Sequence, residues 1–345
     1  MKRYTNMDDK ATPTSWKDIR RWRKERRSKI KDMSYVVEQA PVKAISYLRH
    51  NQTETTLTWI GHSTFLLQMN GLHILTDPVW ARTMGVASRL TEPGLAIREL
   101  PPIDVVLLSH SHYDHLHIGS LRKLPGNPKL LVPEGLAKKL KRKGLQNVEE
   151  YGWWEHTEIQ EVQFHFVPAQ HWTRRTLLDT NTSHWGGWII QKGENGQGDT
   201  IYFAGDSGYF HAFQQIGSQF DIQYALMPIG AYEPEWIMST QHVSPEEAIQ
   251  AFLDVRGRVF IPMHYGAFRL ADDTVKEALD RLTAEWGRRE MKKKYGLRIL
   301  KLGETLRHTV EQKGKNGTRT EGEKKTDRLN DLSVQTVRLF QVFRI

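Results

Sequence analysis

From about residue 55 to residue 308, apolar residues alternate with polar ones or run unbroken for four to six positions, a pattern that predicts short strands. Strands over 55–60 and 64–69 lead to Asn70-Gly71, whose turn chemistry marks a hairpin, and a third strand over 72–76 ends at Asp77-Pro78. Further strands are predicted over 105–109, 129–132, 162–167, 187–191, 200–204, 224–227 and 259–262. Helical spacing separates them at 133–143, 208–217, 244–254 and 272–289, with Ser244 and Glu247 placed as a capping box. Alternating strand and helix signals point to a layered α/β fold.

Two segments depart from this pattern and bracket a body over residues 51–309. Residues 1–50 form a basic lead-in with fourteen Lys and Arg against six Asp and Glu, which accounts for nearly all of the net charge of +9. Within it, Trp16, Ile19, Trp22 and Ile30 recur among nine basic residues over 16–31, an amphipathic helix pattern broken at Arg26. Such a helix suits an anionic membrane surface or nucleic acid, and equally a solvated helix that packs its tryptophans on the body. Residues 310–345 read as a polar tail with an apolar end; its first part has too few apolar residues to bury a core.

Composition narrows the chemistry. The chain has no cysteine, so no disulfide or thiolate ligand is available and any metal must be held by nitrogen and oxygen. The polar start is not followed by an apolar run, and no stretch approaches the roughly 18 apolar residues of a membrane span. The expectation is a soluble, cytoplasmic protein.

Behind the apolar run at 105–108 lies Ser109-His110-Ser111-His112-Tyr113-Asp114-His115, four candidate metal ligands within six residues. Histidines at i and i+2 leave a strand on one side, and the following turn can present an aspartate and a third histidine to a second ion. His171, Asp206 and His264 each follow a later strand, and strand ends on one sheet edge converge in space. Any one of these at a strand end is as readily a structural residue; together they suggest two sites. His110, His112 and His171 are assigned to one metal, Asp114, His115 and His264 to the other, with Asp206 bridging. Asp77 and His62 end the first strands and could hydrogen-bond the ligand imidazoles, or serve only as turn residues.

With these residues in place, the chain resembles the metallo-β-lactamase superfamily. More narrowly, it resembles the N-acylphosphatidylethanolamine-hydrolysing phospholipase D family and its bacterial relatives. The runs that carry the narrower likeness are Leu100 to Asp104, Gln170-His171-Trp172, Arg175-Thr176-Leu177, Phe203 to Asp206, Pro228 to Pro234, and Gln241-His242-Val243. The resemblance implies an αββα sandwich, two zinc ions per chain, a homodimer, and a substrate-contacting histidine at His242. Gln241, Tyr232, Trp172 and Trp236 are candidate substrate contacts beside it, and Arg174 and Arg175 are weaker candidates for a phosphate. Asp114 and His242 are the candidate catalytic side chains: Asp114 to orient an attacking water or take its proton, His242 to bind phosphate or protonate the leaving alkoxide.

The expected activity is a phosphodiesterase of phospholipase D type acting on N-acylphosphatidylethanolamine or a related phospholipid, with peripheral membrane contact through the basic arm. A lactonase or other small-ester hydrolase on the same scaffold is the alternative. A nuclease fits less well, because only 57 residues separate Asp206 from His264, leaving little room for the extra domain that nucleases of the superfamily often insert there.

Overall fold

The computed structural model describes residues 2–8, 15–85, 87–193 and 199–308, so the polar tail over 310–345 lies outside the described residues. In chain order the strands are β1 (Thr56–Gly61), β2 (Thr64–Met69), β3 (Leu72–Thr76), β4 (Thr83–Met84), β5 (Ala87–Ser88), β6 (Ile103–Leu107), β7 (Gly126–Pro133) and β8 (Val148–Tyr151). They continue as β9 (His156–Ile159), β10 (Val162–Val167), β11 (Gly187–Lys192), β12 (Thr200–Phe203), β13 (Tyr224–Pro228), β14 (Val259–Met263), β15 (Gly296–Leu297) and β16 (Thr305–Arg307). One seven-stranded sheet has the order β16-β1-β2-β3-β6-β7-β8 and the other β15-β14-β13-β12-β11-β10-β9. Each begins as an antiparallel meander and becomes parallel, at β3–β6 in the first sheet and at β12–β13 in the second.

Side-chain alternation sorts the first sheet into two faces. Leu57, Trp59, Phe65, Leu67, Ile74, Val105 and Leu107 join the core shared with the second sheet. Their neighbours Ile60, Leu66, Leu75, Val106 and Leu108 pack outward against Leu48, Leu121, Leu136 and Leu140. Three helices, Ala212–Gln219, Pro245–Asp254 and Val275–Arg288, pack on the second sheet through Phe213, Ile216, Ile249, Phe252, Leu282 and Trp286. The result is the α/β, αββα sandwich that the sequence leads one to expect.

Several boundaries differ for local reasons. The helix expected over 133–143 shrinks to Ala137–Lys141, because β7 runs on to Pro133 and Gly135 turns the chain at φ +87°. The last long helix starts at Val275 rather than 272, since Thr274 is its cap and closes a box with Glu277. Strands β8 and β9 escape the sequence pattern because they are short, polar sheet edges.

The basic lead-in forms a helix over Trp16–Ser28 that lies on the body. The Trp22 indole donates to Asp272 at 2.9 Å, Arg26 pairs with the same buried carboxylate at 3.3 Å, and Lys31 pairs with Glu233 and Glu277. Ile30, expected in the apolar stripe, is fully exposed because the helix stops before it. Arg20, Arg23, Lys24 and Arg27 are exposed. Among the described residues no helix is long and apolar enough to cross a membrane.

Candidate metal centre

The four chain segments named by the sequence pattern meet at one end of the two sheets. His110 follows β6, His171 follows β10, Asp206 follows β12 and His264 follows β14. Their convergence depends on close backbone contacts. A Cβ at Gly205, where φ is +64°, would stand 2.8 Å from the Ser109 side chain, and one at Gly230 would stand 2.1 Å from the His264 carbonyl oxygen. Bulk at either position would push Asp206 or His264 away from the cluster.

One group consists of His110, His112 and His171, with His110 Nε2 2.9 Å and His171 Nε2 3.2 Å from His112 Nδ1. A second joins Asp114, His115 and His264 to His62: Asp114 Oδ2 lies 3.4 Å from His115 Nε2, 3.5 Å from His264 Nε2 and 3.1 Å from His62 Nε2. Asp206 Oδ2 sits between the groups, 3.0 Å from His264 Nε2 and 3.1 Å from His115 Nε2, and 3.8 Å from His110 Nε2. All seven residues named from the sequence are brought together, and the structure adds others: His62 joins Asp114, His115 and His264, Asp77 joins His110 and His115, and His242 joins His171 and Asp206.

Hydrogen bonds on the far side of each ring orient the nitrogens. Asp77 accepts from the Ser109 backbone N–H at 2.8 Å and hydroxyl at 2.5 Å, and from His115 Nδ1 at 2.6 Å. With the Ser109 hydroxyl proton directed to Asp77, its oxygen can accept from His110 Nδ1 at 2.9 Å. His171 Nδ1 donates to the Gln241 carbonyl at 2.9 Å. A ring that donates through Nδ1 in its neutral form carries a bare lone pair on Nε2. The Nε2 lone pairs of His110, His115 and His171 therefore point into the same small space. His115 Nε2, both nitrogens of His264 and Asp206 Oδ1 are buried without a hydrogen-bond partner. Lone pairs facing lone pairs are satisfied by cations, so the donor set fits divalent metal ions.

The charges agree. Burial holds the His110 and His171 pKa values well below the usual imidazole range, with neighbouring histidines adding to the effect. Burial also opposes charge on His115 and His264, but Asp206 and Asp114 outweigh it, raising His115 well above its ordinary value and His264 to about 9. Against the same opposing burial, His115 keeps Asp114 and Asp206 well below the usual carboxylate range. Two ionised carboxylates in a buried site need positive charge, which protonated His115 and His264 supply and which divalent ions would supply in their place.

The surrounding candidates divide. His242 belongs to the cluster, with Nδ1 4.0 Å from Asp206 Oδ2, and burial takes its pKa down to about 4. Trp172 stands edge-on to His112, ring centroids 5.0 Å apart. Gln241 contributes its backbone carbonyl to His171, while its side chain turns back towards Ile237 and Met238. Tyr232, read as a substrate contact, is fully buried beneath Arg281. Trp236 faces the basic helix, where Arg21 stacks on it at 4.1 Å and Glu25 accepts from its indole. The Arg175 guanidinium donates to the Ser111 and Leu116 carbonyls and stacks on Tyr113, tying down the loop that carries His112 and Asp114. Ser109 was missed; a hydroxyl beside a histidine pair is too common in sequence to stand out.

A family profile described as "Beta-lactamase superfamily domain" matches residues 73–265. An uncharacterized protein of Mycobacterium tuberculosis is 36% identical over 259 residues, covering 71% of this chain and 67% of its own. The N-acyl-phosphatidylethanolamine-hydrolyzing phospholipase D 1 of Caenorhabditis elegans is 34% identical over 260 residues, 67% of this chain and 71% of its own. Among solved structures, the metallo hydrolase Igni18 of Ignicoccus hospitalis superposes with a TM-score of 0.56 at 22% identity, covering 75% of this chain and 100% of its own, a likeness of fold.

Proposed function

Since the chain belongs to the beta-lactamase superfamily and is a metal-dependent hydrolase, we propose that it is a dinuclear zinc phosphodiesterase of phospholipase D type. Its substrate is N-acylphosphatidylethanolamine or a related phospholipid, cleaved to an N-acylethanolamine and phosphatidic acid. The observation that carries this reading is the convergence of two ligand groups on the Asp206 carboxylate. The relative named for that reaction supplies the substrate class.

His110, His112 and His171 would hold one ion and Asp114, His115 and His264 the other, with Asp206 between them. All-nitrogen-and-oxygen donors with several imidazoles suit zinc. When bound, the pair supplies Lewis acidity towards a phosphate and a water acidic enough to react at neutral pH. The chain's own groups do the rest. Asp114, ionised and within reach of His62, accepts a proton from the attacking water as the water oxygen bonds to phosphorus and the P–O bond to the ethanolamine breaks. Burial takes the His242 pKa down to about 4 and so favours the neutral ring. The ring therefore serves the phosphate as a neutral hydrogen-bonding group, and the leaving alkoxide takes its proton from solvent.

Beside the metal loop lies a cleft of about 560 Å³. Leu116, Ile118, Leu136 and Leu140 give it an apolar floor, and Arg122, Lys139 and Lys143 a cationic rim, which suits an acyl chain with an anionic headgroup. The exposed cations of the Trp16–Ser28 helix suit an anionic bilayer, approached from the cytoplasm.

The test is mass spectrometry of products after zinc-loaded protein meets N-acylphosphatidylethanolamine in mixed micelles, with His112→Ala as control. Paired N-acylethanolamine and phosphatidic acid, absent from the control, are expected. A two-metal protein that leaves this lipid intact would overturn the substrate and leave the metal centre standing.

A further inference from the structure

The first residues of the chain run against the metal-site loop. The Tyr4 backbone N–H donates to the Asn181 carbonyl at 2.9 Å, and Arg3 donates to the Thr180 carbonyl. The Tyr4 ring stacks on His184 with centroids 4.5 Å apart, Lys2 pairs with Glu134, and Asp8 pairs with His211 at 2.7 Å. In the middle of this strap the buried Asn6 turns its side chain inward, and its Oδ1 accepts from the His171 backbone N–H and from the Trp185 indole, both at 3.0 Å.

That places Asn6 directly behind a proposed metal ligand. The His171 ring is oriented from one side by the Gln241 carbonyl on Nδ1, and its backbone is held from the other by Asn6. The preceding residue is held as well: the Gln170 N–H donates to the Ser207 hydroxyl at 2.9 Å, next to Asp206. Residues 169–173 follow β10 and carry an isolated bridge between Gln170 and Gly208, and among the described residues no backbone carbonyl accepts from the His171 N–H. In a buried loop that donor needs an acceptor, and Asn6, 165 positions away in sequence, supplies it.

We propose that Asn6 is a positioning residue for the metal centre, and that the strap over residues 2–8 completes the ligand group of His110, His112 and His171. The inference rests on the reading of His171 as a metal ligand. Groups that orient metal ligands without touching the ion typically change affinity by roughly 10–100-fold when removed. Asn6→Asp keeps an oxygen acceptor of the same reach, whereas Asn6→Ala removes it.

The experiment is zinc binding by the full chain, measured by competition with a chromogenic chelator, together with the visible spectrum of the cobalt-substituted protein. Wild type, Asn6→Ala, Asn6→Asp and His171→Ala are compared, and melting of each metal-free protein reports on folding. The expected result is a roughly tenfold or greater loss of affinity for one of two ions in Asn6→Ala, with an altered cobalt spectrum, and recovery of both in Asn6→Asp. Wild-type binding and spectrum in Asn6→Ala, beside loss of an ion in His171→Ala, would overturn the role of Asn6 alone. Equal losses in both Asn6 variants, or a metal-free Asn6→Ala protein that does not fold, would show Asn6 serving the fold and also overturn it. Two ions held normally by His171→Ala would overturn the ligand reading itself.

Discussion

Asp77 Oδ2 lies 2.6 Å from His115 Nδ1, with both side chains fully buried. The same carboxylate accepts the Ser109 backbone N–H and hydroxyl, so one aspartate orients His115 directly and His110 through a serine. Asp77→Ala would free both rings to turn, and zinc affinity is expected to fall by roughly 10–100-fold. A chelator competition giving wild-type affinity would leave Asp77 with its turn role alone.

Asp114 faces both His115 and His264 while taking a hydrogen bond from His62. Asn in its place keeps the shape and loses the proton acceptor. The Asp114→Asn protein is expected to lose about 10²-fold or more in kcat. Metal analysis must accompany the kinetics, because full turnover with both ions retained would remove Asp114 from the proton-transfer role.

For His242 the magnitudes separate two roles. If this neutral ring donates a hydrogen bond to the phosphate, His242→Ala removes about 0.5–1.5 kcal/mol, a rise of about 2- to 13-fold in KM with kcat little changed. Loss of about 10²-fold in kcat together with the alkaline limb of the pH profile would instead mark a general acid.

The outer face of the Trp16–Ser28 helix carries Arg20, Arg23 and Lys24, all exposed. Replacing these three with Gln leaves the Trp22, Arg26 and Lys31 contacts to the body intact. At about 1 kcal/mol for each cation near an anionic surface, binding to phosphatidylserine vesicles should weaken about 100-fold at low salt. Unchanged partitioning in a vesicle sedimentation assay would assign these charges to solvent.

His184 is buried among Tyr4, Trp153 and Trp185, and burial depresses its pKa to about 4. The unfolded chain binds this proton near pH 6.5 and the folded one only near 4. Stability is therefore lost as pH falls through that window, by on the order of 3 kcal/mol from this residue. His184→Phe keeps the stack and removes the proton site. Its urea midpoint should decline less than that of wild type between pH 6.5 and 4; parallel declines would contradict the assignment.

The sequence shows what depends on neighbours in the chain. Strands β2, β3 and β10 fall at the expected residues because short apolar or alternating runs, closed by Asn70-Gly71, Asp77-Pro78 and Pro168, are local information. The cluster from His110 to His115 is visible for the same reason: its donors are adjacent in sequence. Placing His171, Asp206 and His264 beside it required only that strand ends share a sheet edge.

What depends on distant packing could not be seen in the pattern. Tyr232, Arg175 and Trp236 have the chemistry of substrate contacts, yet their partners come from far along the chain: Arg281 above Tyr232, the Ser111 and Leu116 carbonyls for Arg175, and Arg21 and Glu25 for Trp236. The lead-in reads as a surplus of charge, but Asp272, Glu233 and Glu277 draw part of it onto the body. By itself the sequence determined the alternation of strands and helices and the packed donors from His110 to His115, since both are written in short-range spacing. Only the tertiary structure decided which lone pairs face one another, which side chains are enclosed, and that Asn6 lies against His171, because these follow from the close packing of segments up to 165 residues apart.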